Sequence, residues 1–281
     1  MDKKNKTSEK HELQEIIAVV NNKGGVGKTT TVQNLAAGLL RRDKHLRVLV
    51  IDLDPQCNLS SLLRLSPNSC TTVYDAMCKQ SGLTIYKAYN GVYAVCGSAQ
   101  MQNIEQHLPN GSSLREIKKG YYVLLKCIQT ECIDETGEGL RNLLEDFDYI
   151  LIDCPPALSK STYNAVVAAS SVLVPVQMES LSVRGLKEIL EVMDEVKEDG
   201  LNADIQLSGL LPVMIDGRTR FSKEMSEFLH DRFADKILKH GVRRCIKVNE
   251  AQGQNESIFD YAPYCSAGID YEEAVKEIFG V

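Results

Sequence analysis

The residues Asn21-Asn22-Lys23-Gly24-Gly25-Val26-Gly27-Lys28-Thr29-Thr30 stand between an apolar run and a helix-period pattern. Before them, Ile16-Ile17-Ala18-Val19-Val20 is short, β-branched and unbroken, as a strand buried on both faces of a parallel sheet should be. After them, Val32, Leu35, Ala36, Leu39 and Leu40 recur at helical spacing and leave Gln33, Asn34 and Arg41 on other faces. Strand, glycine loop and helix in that order read as a phosphate-binding loop. Glycines 24, 25 and 27 lack a Cβ, so the backbone can curl its N–H groups around an anion, and the helix adds its partly positive N-terminus. Gly24, Gly25, Val26, Gly27, Lys28, Thr29 and Thr30 are therefore the candidate nucleotide-binding residues. Lys28 would reach the β- and γ-phosphates, and the Thr29 hydroxyl would coordinate Mg²⁺. The pattern G-x-x-x-x-G-K-[ST] asks for glycine at position 22, which here is Asn22, and a second lysine, Lys23, stands at the loop's leading edge.

The 281 residues are ample for a substantial core and are read as one α/β domain. A hydrophobic content of 43% and a charged content of 25% are those of an ordinary globular chain. No apolar run is long enough to span a membrane, and the lysine-bearing start has no signal-type stretch behind it, so a cytoplasmic location is expected. Nine cysteines are scattered without a Cys-x-x-Cys pair, which argues against a zinc ribbon and a disulfide scaffold and for reduced, mostly buried small residues. Residues 1–15 read as a mobile polar arm ahead of a domain at 16–281.

Two further strands end in carboxylates. Arg47 to Gln56 runs as an apolar strand into Asp52-Leu53-Asp54-Pro55, and ligands of an open parallel sheet sit at the carboxyl ends of its strands, so Asp52 is expected to face the phosphates. A bare capping role is its alternative. Phe147 to Pro156 is an apolar strand ending in Asp153, a Walker B arrangement, with Asp153 holding Mg²⁺ through a water. The proline pair at 155 and 156 forces a turn there. Residues 59–146 carry less signal: a turn at 66–69, a short helix at 72–79, a strand at 91–96, and a largely helical stretch from 112 to 147 interrupted near 135–139. Strands at 171–179 and 207–213 bracket a helix around Leu186 to Met193. Alternating strands and helices give a mostly parallel twisted sheet, covered on both faces, with right-handed crossovers.

Lys23-Gly24-Gly25-Val26-Gly27-Lys28-Thr29-Thr30 resembles the deviant Walker A loop of the ParA/MinD group of P-loop ATPases. Asp52-Leu53-Asp54-Pro55-Gln56-Cys57-Asn58 is similar to the second signature of ParA-type members, and Asp153-Cys154-Pro155-Pro156-Ala157-Leu158-Ser159 to the third. The resemblance implies an ATP-sandwiched homodimer in which Lys23 reaches the phosphates held by the partner subunit. It implies that Asp52 positions the attacking water, with Asp54 supporting the loop. Lys23, Lys28 and Asp52 are thus the expected catalytic residues, with Thr29 and Asp153 serving the metal.

The net charge of −6 argues by itself against nucleic acid, but its distribution is uneven. Between Asp216 and Asn249 there are nine Lys/Arg against five Asp/Glu, and a solvated helix with ordinary ion pairs is the alternative to a DNA patch. Residues 216–222 and 243–251 resemble two stretches of small ParA proteins whose arginines bind DNA without sequence preference. Arg218 and Arg244 match directly; Arg243 stands where the family has proline and Lys247 where it has arginine. These four are the expected contacts to double-stranded DNA. Fifteen leading residues are too few for a DNA-reading domain, so the short type is expected, associated with the nucleoid and served by a separate ParB-like partner. A MinD-like ATPase at a membrane is the first alternative, disfavoured by the acidic segment from Tyr271 to Val281. A reductase-like protein gripping an iron–sulfur cluster is the second.

Overall fold

The computed structural model describes residues 15–140, 143–177, 182–216, 231–233 and 235–281. The first strand forms as β1 (Glu15–Val19) and the segment after the loop as α1 (Lys28–Arg42). Ile16, Ala18 and Val20 pack into one hydrophobic core, and Ile17 and Val19 into another. The strand's period of two therefore feeds both faces of the sheet, which is why the run has no polar positions. The other strands are β2 (Val48–Asp52), β3 (Thr84–Lys87), β4 (Tyr93–Val95), β5 (Cys132–Asp134), β6 (Gly139–Leu140), β7 (Tyr149–Asp153), β8 (Ser171–Gln177) and β9 (Gln206–Val213).

They make one nine-stranded sheet in the order β6-β5-β3-β4-β2-β7-β1-β8-β9. From β4 to β9 every pairing is parallel, whereas β3 runs antiparallel to β4, and β6 antiparallel to β5. The crossover from β1 through α1 to β2 skips one position, and β7 fills it. In register, Val19 and Asp52 both lie opposite Asp153, so the ends of β1, β7 and β2 are level.

On one face, α1 buries Val32, Leu35, Ala36 and Leu39 against the sheet. The same face carries the short helices α2 (Asn58–Leu62), placed after β2, and later α9 (Ile246–Gly253), α10 (Ile258–Tyr261) and α11 (Ser266–Phe279). Gly38 lets α1 and α11 approach closely, since a Cβ there would meet Val275 Cγ2 at 2.7 Å. Ala267, Tyr271, Ala274 and Val275 of α11 are buried, so the C-terminal helix spends its apolar face on the core. The opposite face carries α3 (Val73–Lys79), α5 (Val123–Gln129), α6 (Leu143–Asp146), α7 (Lys160–Ala168) and α8 (Ser182–Glu198), and α4 (Leu114–Lys119), which buries no residue, leads into α5. Among the described residues no helix is long and apolar enough to cross a membrane.

Three local expectations change. The interruption near 135–139 is a β-hairpin, β5 and β6, and it extends the sheet. The strand β3, unread in the sequence, joins this hairpin to β4 through Thr84 opposite Ile133 and Tyr86 opposite Ala94. Pieces of two to four residues carry no periodicity of their own; cross-strand pairing makes them strands. The strand expected at 91–96 contracts to Tyr93–Val95. Of the arm expected at 1–15, only Glu15 is among the described residues, and it begins β1.

Candidate functional site

The loop after β1 delivers its residues through its backbone. Gly25 and Gly27 take positive φ of 71° and 87°, a conformation costly for side chains with a Cβ. Gly27 occupies the cap position of α1, and it supplies no side-chain cap. The first amides of α1 are thus left for a ligand, with the helix dipole behind them. No acid sits in the first turn to compete. Lys28 is 6% exposed, and its Nζ donates to the Lys23 carbonyl at 3.2 Å. Burial lowers the pKa of its ammonium, opposed by the nearby Asp153.

Asp153, fully buried at the end of β7, accepts a hydrogen bond from the Thr29 hydroxyl at 2.7 Å on Oδ2, while Oδ1 has no partner among the described residues. Burial, followed by the charge of Asp52, holds its carboxyl well above the usual range. A cation beside Thr29 and Asp153 would satisfy that orphaned oxygen and return the group to its charged form. An uncapped helix start, a buried lysine and a hydroxyl–carboxylate pair with one oxygen free are together what a magnesium-bound nucleoside triphosphate requires, so Mg²⁺ and ATP fit.

Asp52 does not stand where it was expected. It is 1% exposed, and Oδ2 accepts from the Ser60 amide at 2.9 Å and the Ser60 hydroxyl at 2.7 Å, while Oδ1 accepts from the Asp54 amide at 3.2 Å. Gly97 presses on it so closely that a Cβ there would lie 2.8 Å from its Cγ. Its lone pairs are thus used on α2 and the turn, and burial raises its pKa to about 6 despite those bonds. Asp54, two residues on, borders the open cavity beside the loop and holds the Gln56 amide at 2.9 Å. The end of the strand explains the exchange: Asp52 is the last residue of β2 and remains inside, whereas Asp54 lies beyond the strand, where the chain no longer follows its alternation and borders the cavity.

Lys23 leans on β8, donating to Gln177 Oε1 at 2.7 Å. Asn21 fastens the loop, its Nδ2 donating to the Pro175 carbonyl at 2.7 Å and its Oδ1 accepting from the Lys23 amide at 2.9 Å. Asn22, the departure from the common pattern, donates to Glu188 of α8. Gly185 admits it, since a Cβ at 185 would meet Asn22 Oδ1 at 2.3 Å.

The cavity over the loop has a volume of about 580 Å³ and is lined by Gly24 through Thr30, Asp54 and Pro156, and also by Asn249, Gln252 and Asn255. These last three come from α9 and its end, of which the sequence marked only the part up to Ala251 as a DNA-like stretch and gave Gln252 and Asn255 no role. Gln252 Nε2 donates to the Thr30 hydroxyl at 2.7 Å, tying α9 to the loop. Only their recurrence along one helix face, with nothing apolar to bury, could have hinted at this.

The expected DNA contacts separate. Arg244 is exposed, with no ion pair among the described residues. Lys247 is exposed but pairs with Glu250 at 2.8 Å. Arg243 forks onto Asp270, its Nε at 2.9 Å from Oδ2 and its Nη2 at 2.7 Å from Oδ1. That pair joins the start of α9 to α11. Arg218 lies outside the described residues.

Residues 14–207 match the protein family described as AAA domain. The sporulation initiation inhibitor protein Soj of Bacillus subtilis is 33% identical over 270 residues, covering 95% of this chain and 98% of Soj. The chromosome partitioning protein ParA of Myxococcus xanthus is 32% identical over 250 residues, covering 88% and 81%. Among solved structures, cobyrinic acid a,c-diamide synthase from Mycobacterium smegmatis, with bound ATP analog and magnesium, superposes with a TM-score of 0.72 at 27% identity, covering 93% and 92%. With the phosphate loop, the Asp153 strand end and the sheet order in place, the chain belongs to the ParA/Soj family of partition ATPases, within the ParA/MinD group of P-loop ATPases.

Proposed function

We propose that this ATPase uses Mg²⁺-bound ATP to close a homodimer that holds DNA without sequence preference, and that a ParB-like partner on a cargo DNA stimulates hydrolysis and release. The observation that carries the reading is the uncapped start of α1 beside buried Lys28 and the Thr29–Asp153 pair. Lys28 and the loop amides bind phosphate, and Thr29 and Asp153 hold the metal, whose charge offsets that of the phosphates. Asp54 orients the attacking water, because it borders the cavity, while Asp52 stiffens the turn that carries it. Lys23, resting on Gln177 in the single chain, turns to the partner's phosphates on dimerisation. ATP drives this switch only to the extent that the dimer binds it better than the monomers do.

Arg244 and Lys247, with Arg218, supply the DNA surface, and Arg243 supports them by holding α9 on α11. The working location is the nucleoid in the cytoplasm. The test is binding of purified protein to an arbitrary duplex with no nucleotide, with ADP and with ATP–Mg²⁺, beside Arg244→Ala. Binding that requires ATP and weakens in the variant supports the reading; equal binding in all nucleotide states would sink the switch.

A further inference from the structure

A second large cavity lies at the opposite end of the sheet from the phosphate loop. It has a volume of about 590 Å³ and is enclosed by the last turn of α1 and the loop into β2, by the turn between β3 and β4, and by α10. β2 and β4 are parallel, and Arg47 and Tyr93 stand at their amino ends, whereas the nucleotide site lies at the carboxyl ends. α1 joins the two places, with its N-terminus in the phosphate loop and its C-terminus at this cavity, about 22 Å away along a 15-residue helix.

Separate segments bring basic side chains to its lining: Arg41, Lys44 and His45 from the end of α1 and the loop after it, Arg47 from just before β2, and Lys87 from the end of β3. Elsewhere exposed lysines sit on carboxylates, as Lys118 does on Asp199, Lys187 on Glu191 and Lys276 on Glu273. Among the described residues Arg41, Lys44 and Lys87 have no ion pair, and Arg47 has only a long one, 3.8 Å to Asp146. Aromatic faces hold three of these cations instead. Arg41 stands over Phe259 at 5.8 Å from the ring centroid, Lys87 over Tyr93 at 5.6 Å, and Arg47 over Tyr93 and Phe147 at 5.1 and 4.8 Å. A ring face attracts the charge without using up the N–H donors as a carboxylate does, so the cations are placed and stay available to an anion.

Two buried donors add to this. Among the described residues neither Arg47 Nε nor Asn90 Nδ2, both from residues of the lining, has a hydrogen-bond partner. The Asn90 amide is oriented by its Oδ1, which accepts from the Val92 amide at 3.2 Å, so the nitrogen is the atom left over. The acids nearby are engaged: Asp260 accepts from the Ser257 hydroxyl at 2.7 Å, and Asp43 from the His45 amide at 2.8 Å. Arg41 also complements the negative end of α1, but Arg47, Lys87 and Asn90 belong to other elements. Like charges gathered around one cavity repel unless an anion stands among them.

We propose that this cavity binds a small, multiply phosphorylated ligand, at a site separate from the triphosphate cradle. A lone carboxylate would leave most of the charge of Arg41, Lys44, Arg47 and Lys87 unbalanced, whereas neighbouring phosphates, each carrying about −1.5 to −2 near neutral pH, match it. Their several oxygens also accept from guanidinium forks and ammonium groups together, and from the leftover Asn90 nitrogen. The concave shape and the volume of about 590 Å³ suit a compact molecule rather than an isolated phosphate ion. The assignment does not depend on the ATPase reading, since no residue of this lining belongs to the phosphate loop.

The test titrates inositol hexakisphosphate, a compact polyphosphate without base or ribose, into full-length protein that holds a non-hydrolysable ATP analogue in excess Mg²⁺, and follows binding by calorimetry. The expected result is saturable binding of one ligand per chain, with slowed hydrogen exchange in the segments that carry Arg41 to Arg47 and Lys87 to Gly91. Lys44→Glu combined with Lys87→Glu should weaken it by about tenfold or more without loss of melting temperature, because both residues are exposed and each would lose a charge-assisted contact. Arg244→Ala should leave it unchanged. No saturable binding overturns the proposal, and so does binding seen only without the ATP analogue, which would put the probe in the phosphate loop. Equal weakening by Arg244→Ala would mean a diffuse response to surface charge and removes the site. An arbitrary DNA duplex is the last arm. If it displaces the probe, and the double variant lowers duplex affinity as much as Arg244→Ala does, the cavity is part of a DNA surface and the small-ligand assignment falls.

Discussion

The loops at the ends of β1, β2 and β7 and the stretch from Val242 to Glu250 both present basic side chains, but they hold them in opposite ways. Lys28 is buried, fixed by its own loop and surrounded by backbone amides, and its charge is needed at one point. Arg244 and Lys247 are exposed, one without an ion pair among the described residues and the other balanced by Glu250, and their charge lies at the surface. Preorganised groups in a dry site act as a unit, so removing one is severe. Exposed charges on a polyanion contribute in small, nearly equal portions that salt can erase.

The largest effect expected is at Lys28. Lys28→Ala should lower ATP turnover by about 10³-fold or more, the scale of losing a preorganised charge at a transition state, with unfolding little changed. A turnover assay with a melting curve checks both. If the loss were only a few-fold, the contrast between the two regions would fail.

Next, Asp54→Asn and Asp52→Asn should part company. Asp54→Asn is expected to reduce turnover about 10²-fold at near-normal stability, as loss of a water-orienting group does. Asp52→Asn places an amide against the Ser60 and Asp54 donors and should cost on the order of 1–3 kcal/mol of stability instead. Turnover beside chemical denaturation distinguishes them; the reverse pattern would restore the water to Asp52.

The same residue predicts a pH effect. The folded pKa of Asp52 is raised from 3.8 to about 6, so between these values the folded state binds more proton than the unfolded one. Its contribution to stability is therefore fully present below about pH 4 and is lost as pH rises to about 6. The difference in unfolding free energy between wild type and Asp52→Asn, measured across this range, should fall with rising pH; a flat difference would remove the assignment.

At the surface the changes are smaller. Arg244→Ala should reduce the slope of log DNA affinity against log salt by about 0.9, one phosphate contact, and Lys247→Ala by less because Glu250 already balances it. Arg243→Ala should instead loosen α9 from α11 and lower the melting temperature. A salt slope that moves equally for Arg243 and Arg244 would blur the division of roles. Smallest of all, Gln252→Ala removes one hydrogen bond to Thr30, and nucleotide affinity should weaken by about 1 kcal/mol, roughly fivefold. An unchanged affinity would show that α9 is only a wall.

By itself the sequence determined the strand, loop and helix from Ile16 to Leu40, the strand ending in Asp153 and a mostly parallel sheet, because these rest on short-range periodicity and on glycines that must turn. That Thr29 and Asp153 would meet was legible from the phosphate-loop pattern and the rule that ligands gather at strand ends. The tertiary structure alone decided which of Asp52 and Asp54 reaches the cavity, since two residues past a strand end separate a carboxylate bonded into the core from one that borders the cavity, and both read alike in the chain. It also decided that β3, β5 and β6 are strands, that α9 lines the cavity over the loop, and that Arg243 is held by Asp270. Each of these depends on a partner far away in sequence, and the pairing energy that selects it exists only once the chain has folded back on itself.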